Sequence, residues 1–264
     1  MTDSGLAAIY LDQALRQHGC PICRCCADHE TQYLRFLILE CINDGATHAR
    51  LAQSLGLCRR HAQQAAQIEQ GELGALLGNS IIYKTLLRLV LVKMRAARAL
   101  RDQRKRPSRL RQTLWHYLGI PLPRQAIDPG QPLMPRLGCR VCETATYVSR
   151  HYSQVLLKIV ERESSRQLYA SSDGVCLAHL RAMVQSTAPG PGLDFVLNAT
   201  EARLRDLSGD LEEIAHRQGA SQSSESEEVA IQRAIAFLTG SVFADKDVAP
   251  PEGGPTETQL TPHI

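Results

Sequence analysis

The feature that most constrains this chain is a pair of cysteine motifs that occurs twice. Cys20-Pro21-Ile22-Cys23 is followed by an apolar-periodic stretch of about 20 residues, a polar turn, and then Gly56-Leu57-Cys58-Arg59-Arg60-His61. After a shift of about 119 residues, Cys139-Arg140-Val141-Cys142 is followed in the same way by Gly174-Val175-Cys176-Leu177-Ala178-His179. The match extends beyond cysteine, pairing Tyr33 with Tyr152 and Leu37 with Leu156. An internal duplication is expected, each copy carrying a CxxC, a long helix, and a CxxH that opens another helix.

A CxxC turn brings two thiolates close enough to share one ion, and CxxH on a helix puts a thiolate and an imidazole on one face. Grouped by copy, the donors form two Cys3His sets: Cys20, Cys23, Cys58 and His61, then Cys139, Cys142, Cys176 and His179. The spacing does not fix whether each CxxC closes with the CxxH of its own copy or of the other. Sets with four protein donors are closed, as in structural zinc sites, whereas a catalytic zinc keeps a position for water. Two zinc ions are therefore expected. The alignment also separates donors from neighbours, because Cys25, Cys26, His29 and Cys41 fall opposite Thr144, Ala145, Val148 and Val160. Cys41 reads as a small buried hydrophobe, while the roles of Cys25, Cys26 and His29 stay open. Since Cys20, Cys23 and Cys26 also spell C-x2-C-x2-C, an iron–sulfur cluster is the alternative cofactor, and thiol-based redox or electron transfer the alternative function.

These paired motifs, with the Tyr33-bearing helix between them and a last helix ending at Leu238-Thr239-Gly240, resemble an uncharacterised bacterial family known only as a domain of unknown function. The resemblance covers roughly residues 15 to 242 and implies two copies of the CPxC and GxCxxH motifs, with no activity to carry over. The chain departs from that pattern in adding Cys25 and Cys26, and in having Arg140 where the first motif has Pro21.

Composition sets the frame for those sites. With 264 residues, 44% hydrophobic, 22% charged and only 5% aromatic, the chain has enough apolar material for a core and favours helices over a sandwich or barrel. A mainly α fold is expected, with a first module at 1–106, a Pro-rich connector at 107–137, a second module at 138–243 and a disordered tail at 244–264. Lys84, Arg88 and Lys93 interrupt the most apolar stretch, so no membrane span is expected. Nothing near the start resembles a secretory signal, and nine cysteines fit metal or thiol chemistry in a reducing compartment; a cytoplasmic location is expected.

Three further segments bear on partners. Lys84 to Arg111 holds eleven basic residues and one acid, Asp102; at about 100° per residue, Lys84, Arg88, Arg95 and Arg98 fall opposite Ile82, Leu86 and Leu89. An acidic protein, or the chain's own acidic C-terminal part, suits that stripe better than nucleic acid, because no aromatic residue interleaves before Trp115 and Tyr117. From Leu193 to Ile214, apolar residues repeat at heptad spacing. That stripe is expected to pack within the chain, with a homodimer seam as the alternative. Asp173 is the expected cap of the second CxxH helix. Ser224 and Glu227 spell a capping box before a final helix whose apolar residues are Ile231, Ile235 and Leu238, closed by Gly240. Sequence patterns for P-loop, dinucleotide, nucleophile-elbow, metalloprotease and deaminase chemistry are missing. The chain reads as a non-enzymatic metal-binding adaptor or regulator.

Overall fold

The computed structural model describes residues 3–105, 128–216 and 225–240. Among them are ten α-helices and no strand: α1 (Asp3–Leu15), α2 (Pro21–Leu39), α3 (Gly45–Ser54), α4 (Arg59–Leu73), α5 (Leu77–Lys105), α6 (Arg140–Ile159), α7 (Glu163–Ser171), α8 (Leu177–Ser186), α9 (Pro191–His216) and α10 (Glu225–Thr239). The fold is mainly α. None of the described helices is long and apolar enough to cross a membrane. Residues 106–127, with Trp115 and Tyr117, lie outside the described residues, as do Ser224 of the expected capping box and the expected tail.

The chain divides into two compact units, and each dividing point falls inside a long helix. One unit takes the described residues of Met1–Cys25 and Arg150–Ile264; the other takes those of Cys26–Ser149. This partition differs from the sequential modules expected on either side of a Pro-rich connector. The described end of that connector packs into the second unit. Gln131–Leu133 forms a 3-10 turn against α5, Lys93 Nζ donates to the Pro132 carbonyl at 2.9 Å, and Arg136 N donates to the Gln53 carbonyl at 2.8 Å.

In the first unit α1 packs on α7, and α8, α9 and α10 pack on one another. Leu193, Val196 and Thr200 are buried in the opening turns of α9; of the heptad stripe, Leu193 and Thr200 pack inside the unit while Leu197 and Leu204 are exposed. Gly192 is what lets α9 approach: a Cβ at that position would run into the Leu157 backbone, 3.0 Å from its carbonyl carbon. The last helix presents a different face from the one its pattern suggested. α10 buries Ala230 and Ala236 and leaves Ile231, Ile235 and Leu238 exposed. Small side chains let its backbone come close to α8 and α9, which long aliphatic residues would prevent.

The second unit is organised around Leu34, Leu37, Ile38, Leu51, Ala65, Ile82, Leu86 and Val141, with Cys41 packed at the edge of that cluster. Asp44 caps α3 by accepting from Thr47 N at 2.7 Å. Hydrogen bonds from the Thr47 side chain and then its backbone N–H hold the Asp44 carboxyl below the usual carboxylate value. α3 and α4 both pack on α5. The junction of α4 with α5 is polar: buried Glu69 accepts from the Gly78 and Asn79 backbone N–H groups at 2.5 and 2.9 Å and from Asn79 Nδ2 at 2.6 Å. A carboxylate that meets the free N–H groups of a helix start is favoured by charge as well as by hydrogen bonding.

Candidate metal centres

All four Cys-containing motifs open helices. Cys20 and Cys139 stand immediately before α2 and α6, so Cys23 and Cys142 fall in the first turns. Cys58 and Cys176 are the N-cap residues of α4 and α8. Gly56 and Gly174 take left-handed conformations, φ 103° and 73°, and redirect the chain so that the cysteine two residues later can begin a helix. The expected cap of the second CxxH helix is thereby displaced. Asp173 instead accepts from Gly19 N at 2.7 Å and pairs with Arg233 Nε at 3.4 Å, holding the turn before Cys20.

The eight expected donors assemble into two clusters, but across the copies. Site 1 gathers Cys20 and Cys23 with Cys176 and His179; site 2 gathers Cys139 and Cys142 with Cys58 and His61. The grouping by copy is not the one the fold adopts. Each CxxC meets the CxxH of the other expected copy, and each complete set lies inside one compact unit. Cys25, Cys26, His29 and Cys41 join neither cluster. Cys25 is buried, and the Cys26 thiol donates to the Ala145 carbonyl at 3.8 Å.

Within each cluster all donor atoms lie within 4.8 Å of one another. In site 1 the Cys23 and Cys176 sulfurs are 3.7 Å apart, and His179 Nδ1 lies 3.5, 3.4 and 3.2 Å from the sulfurs of Cys20, Cys23 and Cys176. In site 2 the Cys58 and Cys142 sulfurs are 3.7 Å apart, and His61 Nδ1 lies 3.2, 3.6 and 3.4 Å from Cys58, Cys139 and Cys142. A tetrahedral ion with metal–sulfur bonds of about 2.3 Å and metal–nitrogen bonds of about 2.0–2.1 Å requires edges of about 3.8 Å between sulfurs and about 3.5 Å from sulfur to nitrogen. The donors therefore fit one coordination sphere.

Electrostatics points the same way. The thiol contacts of Cys176 and Cys20, then burial, push Cys23 far above the usual thiol value, while the thiols of Cys20 and Cys23 hold Cys176 well below it. In site 2 burial and the Cys58 contact push Cys142 up to about 12. Burial also raises Cys58, but the His61 and Arg60 backbone N–H groups and the neighbouring thiols outweigh it and hold Cys58 low. Three thiols packed this closely do not all ionise on their own; a divalent cation among them would supply the missing charge. Two helix N-termini per site add partial positive charge to a set that carries one excess negative charge with the ion bound.

The surroundings of the two histidines include residues that the motif reading did not identify. His61 is wholly buried, and burial followed by Arg60 holds its pKa below the usual histidine value. Its Nε2 lies 2.8 Å from Arg60 Nη2 and 3.4 Å from Glu30 Oε2, and Arg60 donates to Glu30 Oε1 at 2.6 Å. A carboxylate behind a coordinating imidazole orients the ring and raises its basicity. Glu30 left a trace in the sequence: it stands four and seven residues before Leu34 and Leu37, an acid on a stripe that is otherwise buried. Glu69 left a similar one, eight residues after His61 on the buried stripe His61, Ala65, Glu69. In site 1, Gly240 ends α10 with φ 72° and sits over the sulfurs, so that a Cβ there would lie 3.2 Å from Cys176 Sγ and 3.5 Å from Cys23 Sγ.

The fold and its clusters define an all-helical chain, over the described residues, with two Cys3His centres that could each hold a metal ion. A family model described as a family of unknown function, DUF6062, matches residues 4–245, and the chain belongs to that family. No curated protein and no solved structure shows significant similarity to it.

Proposed function

We propose that this protein is a non-enzymatic helical adaptor or regulator, held together by two zinc ions, whose long helix α5 recruits a partner. The observation that carries the metal assignment is the fit of both donor sets to a single tetrahedral ion. Cys3His is a set that zinc favours, and with four protein donors no position is left for a reacting water. An iron–sulfur cluster distributes its protein ligands over more than one iron, so donors crowded within 4.8 Å favour the mononuclear reading. All nine cysteines are free, which agrees with a cytoplasmic setting.

Helix α5 supports the recruiting role. It buries Ile82 and Leu86, while Lys84, Arg88, Arg95, Arg98 and Arg101 are exposed and form no ion pair among the described residues. Leu87, Leu91 and Met94 are exposed alongside them. An exposed apolar row beside a cationic row suits an acidic amphipathic segment of another protein better than a phosphate backbone, which needs no apolar contact.

Elemental analysis and a visible spectrum of anaerobically purified protein test the metal. Two zinc ions per chain in a colourless protein are expected; stoichiometric iron with the broad absorption of a cluster overturns the assignment. For α5, Arg95→Ala with Arg98→Ala is expected to abolish capture of an acidic amphipathic peptide while zinc content stays the same. Binding to duplex DNA that weakens steeply with salt, without peptide capture, replaces the protein partner with nucleic acid.

A further inference from the structure

The two centres have the same donors and nearly the same edges, but their sulfurs do not face the same surroundings. In site 1 Cys20 and Cys176 are 3% and 1% exposed, Cys23 is partly exposed, and Gly240 lies over the sulfurs of Cys176 and Cys23. In site 2 Cys142 is exposed and Cys58 and Cys139 are partly so, although His61 beneath them is buried. Site 2 therefore offers an oxidant of the size of hydrogen peroxide a more exposed cysteine, Cys142, than any in site 1. Cys142 and Cys58 are also the right partners for each other, since their sulfurs are 3.7 Å apart.

Resting on the zinc reading above, we propose that site 2 is a peroxide-sensitive modification site at which Cys142 and Cys58 become a disulfide and the metal is released, while site 1 keeps its ion. The Cys142 thiolate attacks one peroxide oxygen; the O–O bond breaks, the departing hydroxide takes a proton to become water, and Cys142 is left as a sulfenic acid. The Cys58 thiolate then attacks that sulfur. The S–S bond forms, the S–O bond breaks, and the second hydroxide takes a proton and leaves as water. Two thiolates lose two electrons, one peroxide is reduced to two waters, and two protons are consumed. Cys139 and His61 remain as donors, too few to hold the ion tightly.

The location gives the modification a consequence. Site 2 joins the head of α4 to the head of α6, and α4 is in turn fastened through Glu69 to the start of α5. The oxidisable centre therefore sits in the same unit as the exposed cationic helix, and site 1 does not. Oxidation would act on the part of the molecule that recruits.

The zinc-loaded wild-type chain tests this without a variant. Hydrogen peroxide is titrated in while released zinc is read with a chromogenic chelator and the cysteines are followed by differential alkylation and peptide mass spectrometry. One zinc per chain should leave first, with a Cys58–Cys142 disulfide appearing while Cys20, Cys23 and Cys176 remain protected. Earlier or equal loss of the site 1 thiols overturns the proposal, and so does a disulfide that excludes Cys142. Zinc content before peroxide keeps the two readings apart: fewer than two ions at the start defeats the zinc assignment, whereas two ions with the wrong order of release defeats only the redox assignment.

Discussion

Site 1 and site 2 show how one donor set can be protected in two different ways. Site 1 buries two of its three cysteines, Cys20 and Cys176, and lays a glycine over the sulfurs of Cys176 and the partly exposed Cys23. Site 2 leaves Cys142 exposed and invests in its imidazole, which is fully buried and backed by Glu30 and Arg60. Covering governs how easily a reagent reaches the metal, whereas orienting the imidazole governs how tightly the donors hold it. The two properties are separable here because they reside on different ligands.

The largest expected effect tests the grouping itself. Removing two donors from one site, as in Cys20→Ser with Cys176→Ser, should leave one zinc per chain and an intact second unit. Removing one donor from each site, as in Cys20→Ser with Cys58→Ser, should leave no tightly bound zinc and unfold both units. A structural zinc contributes on the order of 10 kcal/mol at neutral pH, so these differences should be plain in elemental analysis and in protease sensitivity. If the first pair lost both ions and the second pair kept one, the sites would close within the copies after all.

Next in size is a change that would make site 1 resemble site 2. Gly240 has φ 72°, and its Cβ position is 3.2 Å from Cys176 Sγ. Gly240→Val places a β-branched residue in the left-handed region and presses it against the sulfurs, at a cost of about 1–3 kcal/mol. Zinc transfer to a chelator should change from one fast and one slow phase to two fast phases. A slow phase that survives would mean that Gly240 does not shield the site.

The reverse experiment weakens what site 2 has and leaves site 1 alone. Glu30→Gln keeps the shape but removes the carboxylate charge behind His61. Loss of such a partner lowers metal affinity by about 10–100-fold, so competition with a zinc buffer should show one site weakened and the other unchanged. Equal affinities before and after would make the Glu30–Arg60 pair a matter of folding only.

Much of this was legible from local pattern. The lengths of α2 and α6, the glycine two residues before each CxxH cysteine, the apolar face of α5 at Ile82 and Leu86, and the end of the last helix at Gly240 all follow from periodicity and backbone chemistry within a few turns. The pairing of the motifs was not legible, because a CxxC faces the same local sequence whichever CxxH it meets; the choice is made by packing between residues more than 80 apart, Cys58 and Cys142 for example. Asp173 was misplaced for a related reason. An acid before a helix reads as its cap, yet its partners are Gly19 and Arg233, distant in sequence. The inward face of α10 was also hidden, since alanines give no periodic signal strong enough to compete with Ile231, Ile235 and Leu238.

The smallest expected effect checks that donors and neighbours are rightly separated. Cys41 packs at the edge of the second unit's core and belongs to neither cluster. Cys41→Ala removes one partly buried sulfur and leaves the unit free to close around the gap, which should cost about 1 kcal/mol or less. Zinc content, the chelator phases and the order of peroxide release should all match the parent. Cys41 therefore serves as the control for the comparison: a shift in site 2 chemistry from this substitution would show that the core around Leu37 and Leu51, and not the donor set alone, sets how that centre behaves.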